Sequence, residues 1–402
     1  AGVTFTIEPG TTLQFHAGRY LQVEPGGRLW IEGTREQPVV LTHYGDGYWG
    51  GILLDRTQAD NRIVHALIEY TEVEVENPRT HTISAYGARI TVADSIIRHT
   101  RENVAIHTYP WGDIEPTAYI LRNEIYDIES DAIHVTGGYA WIQGNHIYDV
   151  FHGTYPLEGI EVSHMITPAV LLDNHVHDVS DDCFDLNHSS AFIARNELHH
   201  CGDKGISIGH PSSSTLINNL VYACIGKDGD QYSGSGVAIK DGAVARIVNN
   251  TVADSRHGLY LYEGHEGEGG GTATVVNTIL WGNGVDLELD ALSTVTVTYS
   301  DIGIGIGTAL PSNGVWPGEG NICADPLYRN PSQENYRLAE TSPCVDTGTA
   351  DGAPTEDIHA IYRPHGAGYD RGAYEFFEFY QSYLPAITAQ AVSRSLSEEL
   401  LP

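Results

Sequence analysis

Asparagines recur through the middle of this chain in a short motif that returns at long intervals. The motif is an asparagine followed by an alternating, strand-like segment, and it begins at Asn123, Asn145, Asn174, Asn196, Asn219, Asn250 and Asn277. The spacings are 22, 29, 22, 23, 31 and 27 residues. Self-similarity with a period of roughly 20 to 50 residues is typical of solenoids, because each repeat buries its apolar face only against its neighbours. The repeat therefore predicts a stack of similar units.

A second motif stays in phase with the asparagines and identifies what each unit contains. It is a small residue followed by an apolar-x-apolar segment, and it begins at Ala132, Gly159, Cys183, Gly205, Gly236 and Gly258. Alternation with a period of two predicts short strands, and no segment shows the periodicity of a helix. An antiparallel β-sandwich would show hairpin signals every 8 to 12 residues or so, without a long asparagine register. The pattern predicts an all-β parallel β-helix with asparagines at its turns.

The pattern also divides the chain into three parts. Residues 1–300 are predicted to form the β-helix, with less regular first coils over residues 1–100. Residues 301–376 lose the repeat and become rich in Gly and Pro, which predicts an irregular C-terminal cap over the open end of the solenoid. Residues 377–402 lack the coil pattern and are predicted to be a tail or linker.

Charge and cysteine content limit the environment and the partners. The chain has 21 Lys and Arg against 53 Asp and Glu, a net charge of −32, which excludes a nucleic-acid partner and disfavours a membrane partner. None of the five cysteines forms a CxxC pair. Cys323 and Cys344 flank one short region of the cap, so we predict a disulfide between them and secretion to an oxidising compartment. The sequence indicates no oligomeric state.

Stacked coils turn equivalent positions into ladders about 4.8 Å apart. The alternation predicts one outward ladder of Ala105, His134, Glu161, Asp185, Ser207, Ala238 and Tyr260, and another of His107, Thr136, Ser163, Asn187, Gly209, Lys240 and Tyr262. The turn that follows carries His164, His188 and His210, and the position before the small residue carries Asp131, Glu158, Asp182, Lys204 and His257. Carboxylates on neighbouring coils share a proton or a cation. The alternative to a functional site is that these residues form a charged, solvent-exposed surface that only keeps the protein soluble.

Two kinds of site follow from these ladders. The oxygen ligands Glu161, Asp185 and Asn187, with His134, predict a cation site, most simply for calcium, and for a transition metal if the imidazole joins. Lysine is scarce, with only Lys204, Lys227 and Lys240 in the chain, and it suits a site because it can act as a base or as a compact charge. We assign substrate binding to Lys240, Tyr260, Tyr262, His188 and His210, and expect no organic cofactor.

Three segments resemble consecutive motifs of polygalacturonase-type glycoside hydrolases, which are right-handed parallel β-helices. They are Asp181-Asp-Cys-Phe-Asp-Leu-Asn187, Lys204-Gly-Ile-Ser-Ile-Gly209 and Ala238-Ile-Lys240. The resemblance implies that Asp181 is a general acid, that Asp182 and Glu158 activate water, and that Lys240 binds substrate. Lys204 stands where the family has a histidine, Ala238 where it has an arginine, and Leu157-Glu-Gly159 replaces its Asn-Thr-Asp-Gly segment.

These observations favour a secreted enzyme that hydrolyses glycosidic bonds of a polysaccharide, with Asp181, Asp182, Glu158 and Lys204 in the catalytic set. The alternative is a polysaccharide lyase, in which Lys204 or Lys240 is the base and calcium neutralises a uronate. A third possibility is a carbohydrate-binding solenoid without turnover, which uses its aromatic residues as a sugar platform.

Overall fold

The computed structural model describes residues 2–73, 77, 79–151, 153, 155–227, 229–306 and 314–377. Thirty-six strands in these residues form three parallel sheets of twelve strands each, and each strand except the last of each sheet pairs with the strand three positions further along the chain. This arrangement is a right-handed parallel β-helix in which each coil contributes one strand to each sheet, so the predicted fold class is confirmed. Beyond Phe377, the predicted tail lies outside the described residues.

The strands alternate regularly among the three sheets. Sheet A contains Thr4–Ile7, Arg28–Glu32, Asn61–Val64, Arg89–Ala93, Thr117–Leu121, Tyr139–Gln143, Ala169–Leu172, Ala191–Ala194, Ser213–Ile217, Val244–Val248, Thr272–Val276 and Thr294–Thr298. Sheet B contains Thr12–Phe15, Val39–His43, Ala66–Glu72, Ile96–Arg101, Glu124–Ile128, His146–Val150, His175–Val179, Glu197–Cys201, Leu220–Tyr222, Thr251–Ala253, Ile279–Trp281 and Asp301–Ile302. Sheet C contains Leu21–Val23, Ile52–Asp55, Ile83–Tyr86, Ile106–Tyr109, Ile133–Thr136, Ile160–Ser163, Phe184–Asn187, Ile206–Gly209, Ser235–Lys240, His257–Tyr262, Val285–Leu289 and Gly305–Ile306.

The core lies inside the coil, where apolar residues stack from one coil to the next. In sheet C one such column runs through Ile106, Ile133, Ile160, Phe184 and Ile206, and all five side chains are fully buried. Because strand side chains alternate between faces, the residues between these apolar positions must point outward. The alternation that identified the strands therefore also fixes which residues sheet C presents on its outer face.

A ladder of buried asparagine amides marks the turn between sheets A and B. Asn145, Asn174 and Asn196 follow one another, and each side-chain amide donates to the Oδ1 atom of the next at 2.9–3.0 Å. Each Oδ1 atom also accepts a backbone N–H from the preceding coil, so the amides satisfy turn groups that the sheets leave unpaired. The ladder begins with Asn123 and ends with Asn250, where Thr278 takes over. The predicted member Asn277 is displaced by one residue and bonds the cap instead.

The cap runs back along the last coils. The coil strands Asp301–Ile302 and Gly305–Ile306 extend a few residues past the predicted boundary at residue 300. Beyond them, the only regular elements of the cap in the described residues are the antiparallel strands Tyr328–Asn330 and Asn335–Leu338 and the 3-10 helix Pro331–Gln333. Its buried Arg363 bonds the Glu375 carboxylate and the carbonyl of Gly372, and it approaches Asn218 on the coil.

The predicted disulfide between Cys323 and Cys344 is wrong. Cys344 is buried and donates to Asp301 on the last coil, whereas Cys323 is exposed and faces the Gly303 carbonyl, so the two thiols sit in different environments. The disulfide joins Cys183 to Cys201 instead. Their Cα atoms lie 5.6 Å apart, within the range that a disulfide requires, because neighbouring coils bring them together.

Candidate functional site

The outer face of sheet C collects the titratable residues that the sequence analysis singled out. The ladder from His134 through Glu161, Asp185, Ser207 and Ala238 to Tyr260 is confirmed strand by strand. Its predicted first member is wrong, because His107 and not Ala105 pairs with His134. Ala105 precedes the strand and is buried.

A second row of polar residues lies where the chain enters sheet C. The backbone amides of Ala132, Gly159 and Cys183 donate to the carbonyls of Glu158, Asp182 and Lys204, respectively. This bonding places Asp131, Glu158, Asp182 and Lys204 on successive coils, as the spacing predicted. We call this row, together with the ladder from His134 to Asp185, the acidic face.

Glu158 and Asp131 form the most strongly perturbed pair of the acidic face. Asp131 Oδ1 accepts the Glu158 backbone N–H at 3.1 Å, and the two carboxyl groups interact across the neighbouring coils. Burial, followed by the bond to Asp131, raises the pKa of Glu158 far above its usual range. Burial opposes the charge of Asp131, but its hydrogen bonds with His134 and Glu158 outweigh burial and lower its pKa. The pair therefore holds one proton, on Glu158.

Lysines neutralise the neighbouring aspartates. Lys204 is buried, with its Nζ atom 2.5 Å from Asp203 Oδ2 and 3.6 Å from Asp182 Oδ1. Asp182 also accepts the Lys204 backbone N–H at 2.8 Å. Burial opposes the charge of Lys204, but Asp182 and Asp203 outweigh it and raise the lysine pKa. Lys204 is therefore a fixed positive charge at this site.

Asp181 has a more accessible setting than Asp182. Its Oδ1 atom accepts a hydrogen bond from Lys227 Nζ at 2.7 Å, and this lysine comes from the loop between sheets B and C. Burial raises the pKa of Asp181, and the bond to Lys227 works in the opposite direction. Sequence reasoning noticed Lys227 only as a rare residue and missed Asp203, although Asp203 directly precedes Lys204.

The predicted cation ligands lie together in part. His134 Nδ1 lies 3.0 Å from Glu161 Oε2 and 3.6 Å from Asp131 Oδ2, and one ligand atom from each of the three residues falls within 4.8 Å of the others. Asn187 instead donates its amide to Asp185 Oδ2 at 2.6 Å. Asp185 Oδ1 is buried without a hydrogen-bond partner among the described residues. A cation would satisfy that oxygen, so the donor set fits calcium, and the cation site stays a prediction.

Aromatic residues close the C-terminal end of the acidic face. Tyr260 and Tyr262 are buried, with ring centroids 4.6 Å apart, and the half-buried Tyr232 stacks on Tyr262 at 4.7 Å. Lys240 pairs with Tyr262 in the strand register and lies over Gly209, where any side chain would meet its Cε atom. Tyr232 was missed because it lies in a loop, outside the strand motif.

The predicted substrate-binding histidines form their own stack at the turn from sheet C to sheet A. His188 lies between His164 and His210, at centroid distances of 4.7 and 4.0 Å. All three have left-handed backbone conformations, with φ between 50° and 60°, and this aligns their rings from coil to coil. They border the acidic face, since His188 directly follows Asn187.

A cleft of about 410 Å³ borders the other side of the acidic face. Its lining includes Ser130 and Leu157, the residues directly before Asp131 and Glu158, together with Glu102, Glu129 and Tyr155. Asp131 and Glu158 are not among the residues that line this cleft, which adjoins the pair only through Ser130 and Leu157. The described residues contain no helix long and apolar enough to cross a membrane.

Comparisons with solved structures identify related folds. A mutant of the periplasmic alginate epimerase AlgG aligns at a TM-score of 0.57 and 13% identity, over 76% of this chain and 78% of that one. A second structure of AlgG aligns at a TM-score of 0.50 and 14% identity, over 76% of this chain and 77% of that one. A mannuronic acid specific polysaccharide family 6 lyase from human gut microbiota aligns at 0.42 and 13% identity, over 79% and 84%. No curated protein sequence matches the chain.

The model of one protein family matches most of the coil. Its description is "Right handed beta helix region", and its two overlapping matches cover residues 48–221 and 113–280. Together they span more than half of the 402 residues, and every coil within the matched range has the three-strand pattern described above. The chain belongs to the right-handed β-helix family.

Proposed function

We propose that this protein is a secreted carbohydrate-active enzyme that hydrolyses glycosidic bonds of a polysaccharide at the acidic face. The observation that carries the proposal is the contact between Glu158 and Asp131 on neighbouring coils, where burial raises the pKa of Glu158 and the hydrogen bonds of Asp131 lower the pKa of Asp131. Glycoside hydrolysis needs this combination, an acid for the leaving oxygen and a carboxylate that activates water or attacks the sugar. The likeness to an alginate epimerase adds that this fold serves polysaccharide chemistry in another protein.

The proposed roles follow from where the protons lie. Glu158 donates its proton to the glycosidic oxygen as the bond between that oxygen and the anomeric carbon breaks. Asp181, which Lys227 helps to keep ionised, accepts a proton from the water whose oxygen attacks the anomeric carbon. These roles exchange Asp181 and Glu158 relative to the family resemblance. Asp182 is a positioning residue: it is buried, and its carboxylate accepts the backbone N–H of the buried Lys204.

A lyase acting on a uronate-containing glycan is the second candidate. Lys204 is excluded as its base because two aspartates hold the lysine in its charged form. Lys240 is the better base, since the described residues offer it no carboxylate partner comparable to those of Lys204 and Lys227. Asp131, His134 and Glu161 would hold the cation that neutralises the uronate carboxylate.

Digestion of a panel of neutral and uronate-containing polysaccharides, read by mass spectrometry, tests the proposal. Products that have gained one water per cleavage support the hydrolase. Unsaturated products that absorb in the ultraviolet support the lyase, and binding without any product would show a carbohydrate-binding solenoid. Glu158→Gln and Asp181→Asn should each abolish hydrolysis, whereas Glu32→Gln on sheet A is the matched control. Lys240→Ala should lower kcat sharply if the enzyme is a lyase, and should mainly raise KM if it is a hydrolase in which Lys240 binds substrate.

A further inference from the structure

We propose that sheet B carries a binding site for a divalent transition metal ion such as zinc, held by the imidazoles of His146, His175 and His177. This site lies on a different sheet from the acidic face and does not depend on the proposed function. It belongs to the outer face of the coils whose strands are His146–Val150 and His175–Val179.

The strand register brings the three imidazoles together. His146 pairs directly with His175 on the next coil, and His177 lies two residues further along the same strand as His175. Residues two apart on a strand point to the same face, so all three rings project outward from sheet B. Their centroids lie 4.7–5.1 Å from one another.

The ring nitrogens have the spacing of a metal site. His146 Nε2 lies 2.9 Å from His177 Nε2, and one nitrogen from each of the three rings falls within 4.8 Å of the others. A tetrahedral ion with bonds of about 2.0–2.1 Å holds its ligand atoms roughly 3.3 Å apart. The His146 and His177 nitrogens are therefore already near this spacing, and the His175 ring would turn to bring its nitrogen to the ion. Imidazole nitrogens favour zinc, copper or nickel over calcium.

A neighbouring carboxylate orients one of the ligands. His177 Nδ1 lies 2.7 Å from Asp178 Oδ2, which favours a proton on Nδ1 and leaves Nε2 free to bind a metal. The His177 ring is also clamped between Tyr148 and His199, at 5.4 and 4.7 Å and nearly parallel to both. All three proposed ligands are half-buried, so an ion can reach them.

A second set of possible ligands lies one coil further on and shares His175. It consists of His175, Glu197 and His199. Its carboxylate already accepts a hydrogen bond from Tyr222 at 3.3 Å, and His199 Nδ1 faces His200 Nδ1 at 2.9 Å. His175 Nε2 also lies 2.9 Å from His199 Nε2, so both sets compete for this ring. Because His199 is buried whereas His146, His175 and His177 are all half-buried, the structure assigns the ion to the three-imidazole set.

Metal binding by the intact protein tests this assignment. After chelator treatment, zinc is titrated by calorimetry, and cobalt is bound as a spectroscopic probe of imidazole ligation. His146→Ala and His177→Ala should each remove one bound ion per chain, and Asp178→Asn should weaken binding roughly 10- to 100-fold. Glu197→Gln and the exposed His16→Ala should bind as the wild type does, and excess calcium should not displace the ion.

The opposite pattern overturns the assignment. If Glu197→Gln loses the ion while His146→Ala retains it, the ion occupies the deeper set. If the wild-type protein and the double variant His146→Ala/His177→Ala bind the same amount of zinc, the histidines stack on one another but do not bind metal. X-ray absorption of the zinc-loaded wild type does not depend on how variants fold: it should show at least three nitrogen ligands at about 2.0–2.1 Å, and a shell of oxygen ligands alone would contradict the proposal.

Discussion

Single side chains decide what the acidic face can do, and Glu158 is the clearest case. Its folded-state pKa is raised above the unfolded value, so the stability that it contributes is complete below about pH 4.5 and is lost as the pH rises toward the folded pKa. Glutamine keeps the shape of a protonated carboxyl. Glu158→Gln should therefore reduce the rate of hydrolysis at least about 10²-fold. Between pH 5 and pH 9 its melting temperature should fall less than that of the wild type, because glutamine has no proton to lose. A variant that keeps full turnover would exclude Glu158 as the acid.

We expect imidazoles shielded from water to set the acid limit of the fold. His81 bonds Asn103 Oδ1 at 3.0 Å, and burial lowers its pKa to about 4, with His107, His134 and Asp131 as the nearest titratable groups. Because the unfolded chain binds this proton more readily, stability is complete above about pH 6.5 and falls as the pH drops toward 4. The free energy of unfolding, measured with urea, should fall between pH 7 and pH 4.5 by up to about 3 kcal/mol less in His81→Gln than in the wild type.

The exposed His16 supplies the control for that measurement. His16→Gln should leave the difference between the two pH values unchanged, because the side chain of His16 is exposed. Equal acid loss in wild type and His81→Gln would show that other groups set the limit.

At the scale of the elements, the asparagine ladder stabilises each turn between sheets A and B. Asn196 Oδ1 accepts the backbone N–H and the side-chain amide of Asn174, and its own amide donates to the Leu171 carbonyl and to Asn219. Asn196→Ala leaves these buried groups unsatisfied, at about 1–3 kcal/mol each. We expect a loss of roughly 3–5 kcal/mol in the free energy of unfolding by urea. The exposed Asn330→Ala should change it by less than about 0.5 kcal/mol.

The repeating positions of the coils could be predicted from the sequence, but the positions where the last coils meet the cap could not. The Asn145, Asn174 and Asn196 ladder and the outward Glu161–Asp185 column are local periodic signals, so their positions follow directly from coil stacking. Asn277 has the same local motif, but contacts with the distant cap decide its role and Thr278 takes its place in the ladder.

The site was predictable to the same extent. The spacing indicated which carboxylates share a face, but it could not show which of them holds the proton, because that depends on the Glu158–Asp131 contact between coils. It also could not show that Lys204 is buried between Asp182 and Asp203, since burial is a property of the packed coils. The disulfide prediction failed for a related reason: Cys183 and Cys201 meet through neighbouring coils, whereas Cys323 and Cys344 are both free thiols.

At the scale of the whole molecule, the open ends of a solenoid must be capped to keep it soluble. The cap covers the C-terminal coils, and the buried Arg363 joins several segments of the cap to one another. The Arg363 side chain is fully buried, lies 2.7 Å from Glu375 Oε2, and donates to the carbonyls of Gly372 and Asp370. Breaking such a pair leaves an uncompensated buried charge, which costs about 3–5 kcal/mol. Because each coil contacts only its neighbours, this loss should stay local.

Arg363→Met should therefore release the cap while the N-terminal coils stay folded. We expect limited proteolysis, read by mass spectrometry, to cut the variant within residues 314–377 at protease concentrations that leave the wild type intact, and to leave a resistant fragment that contains the first coils. The matched control is Arg89→Met, because Arg89 pairs with Asp60 at 3.7 Å through a half-exposed side chain, and such surface pairs contribute about 0–1 kcal/mol. Simultaneous cleavage throughout sheets A, B and C of Arg363→Met would instead show that the cap and the coil unfold as one cooperative unit.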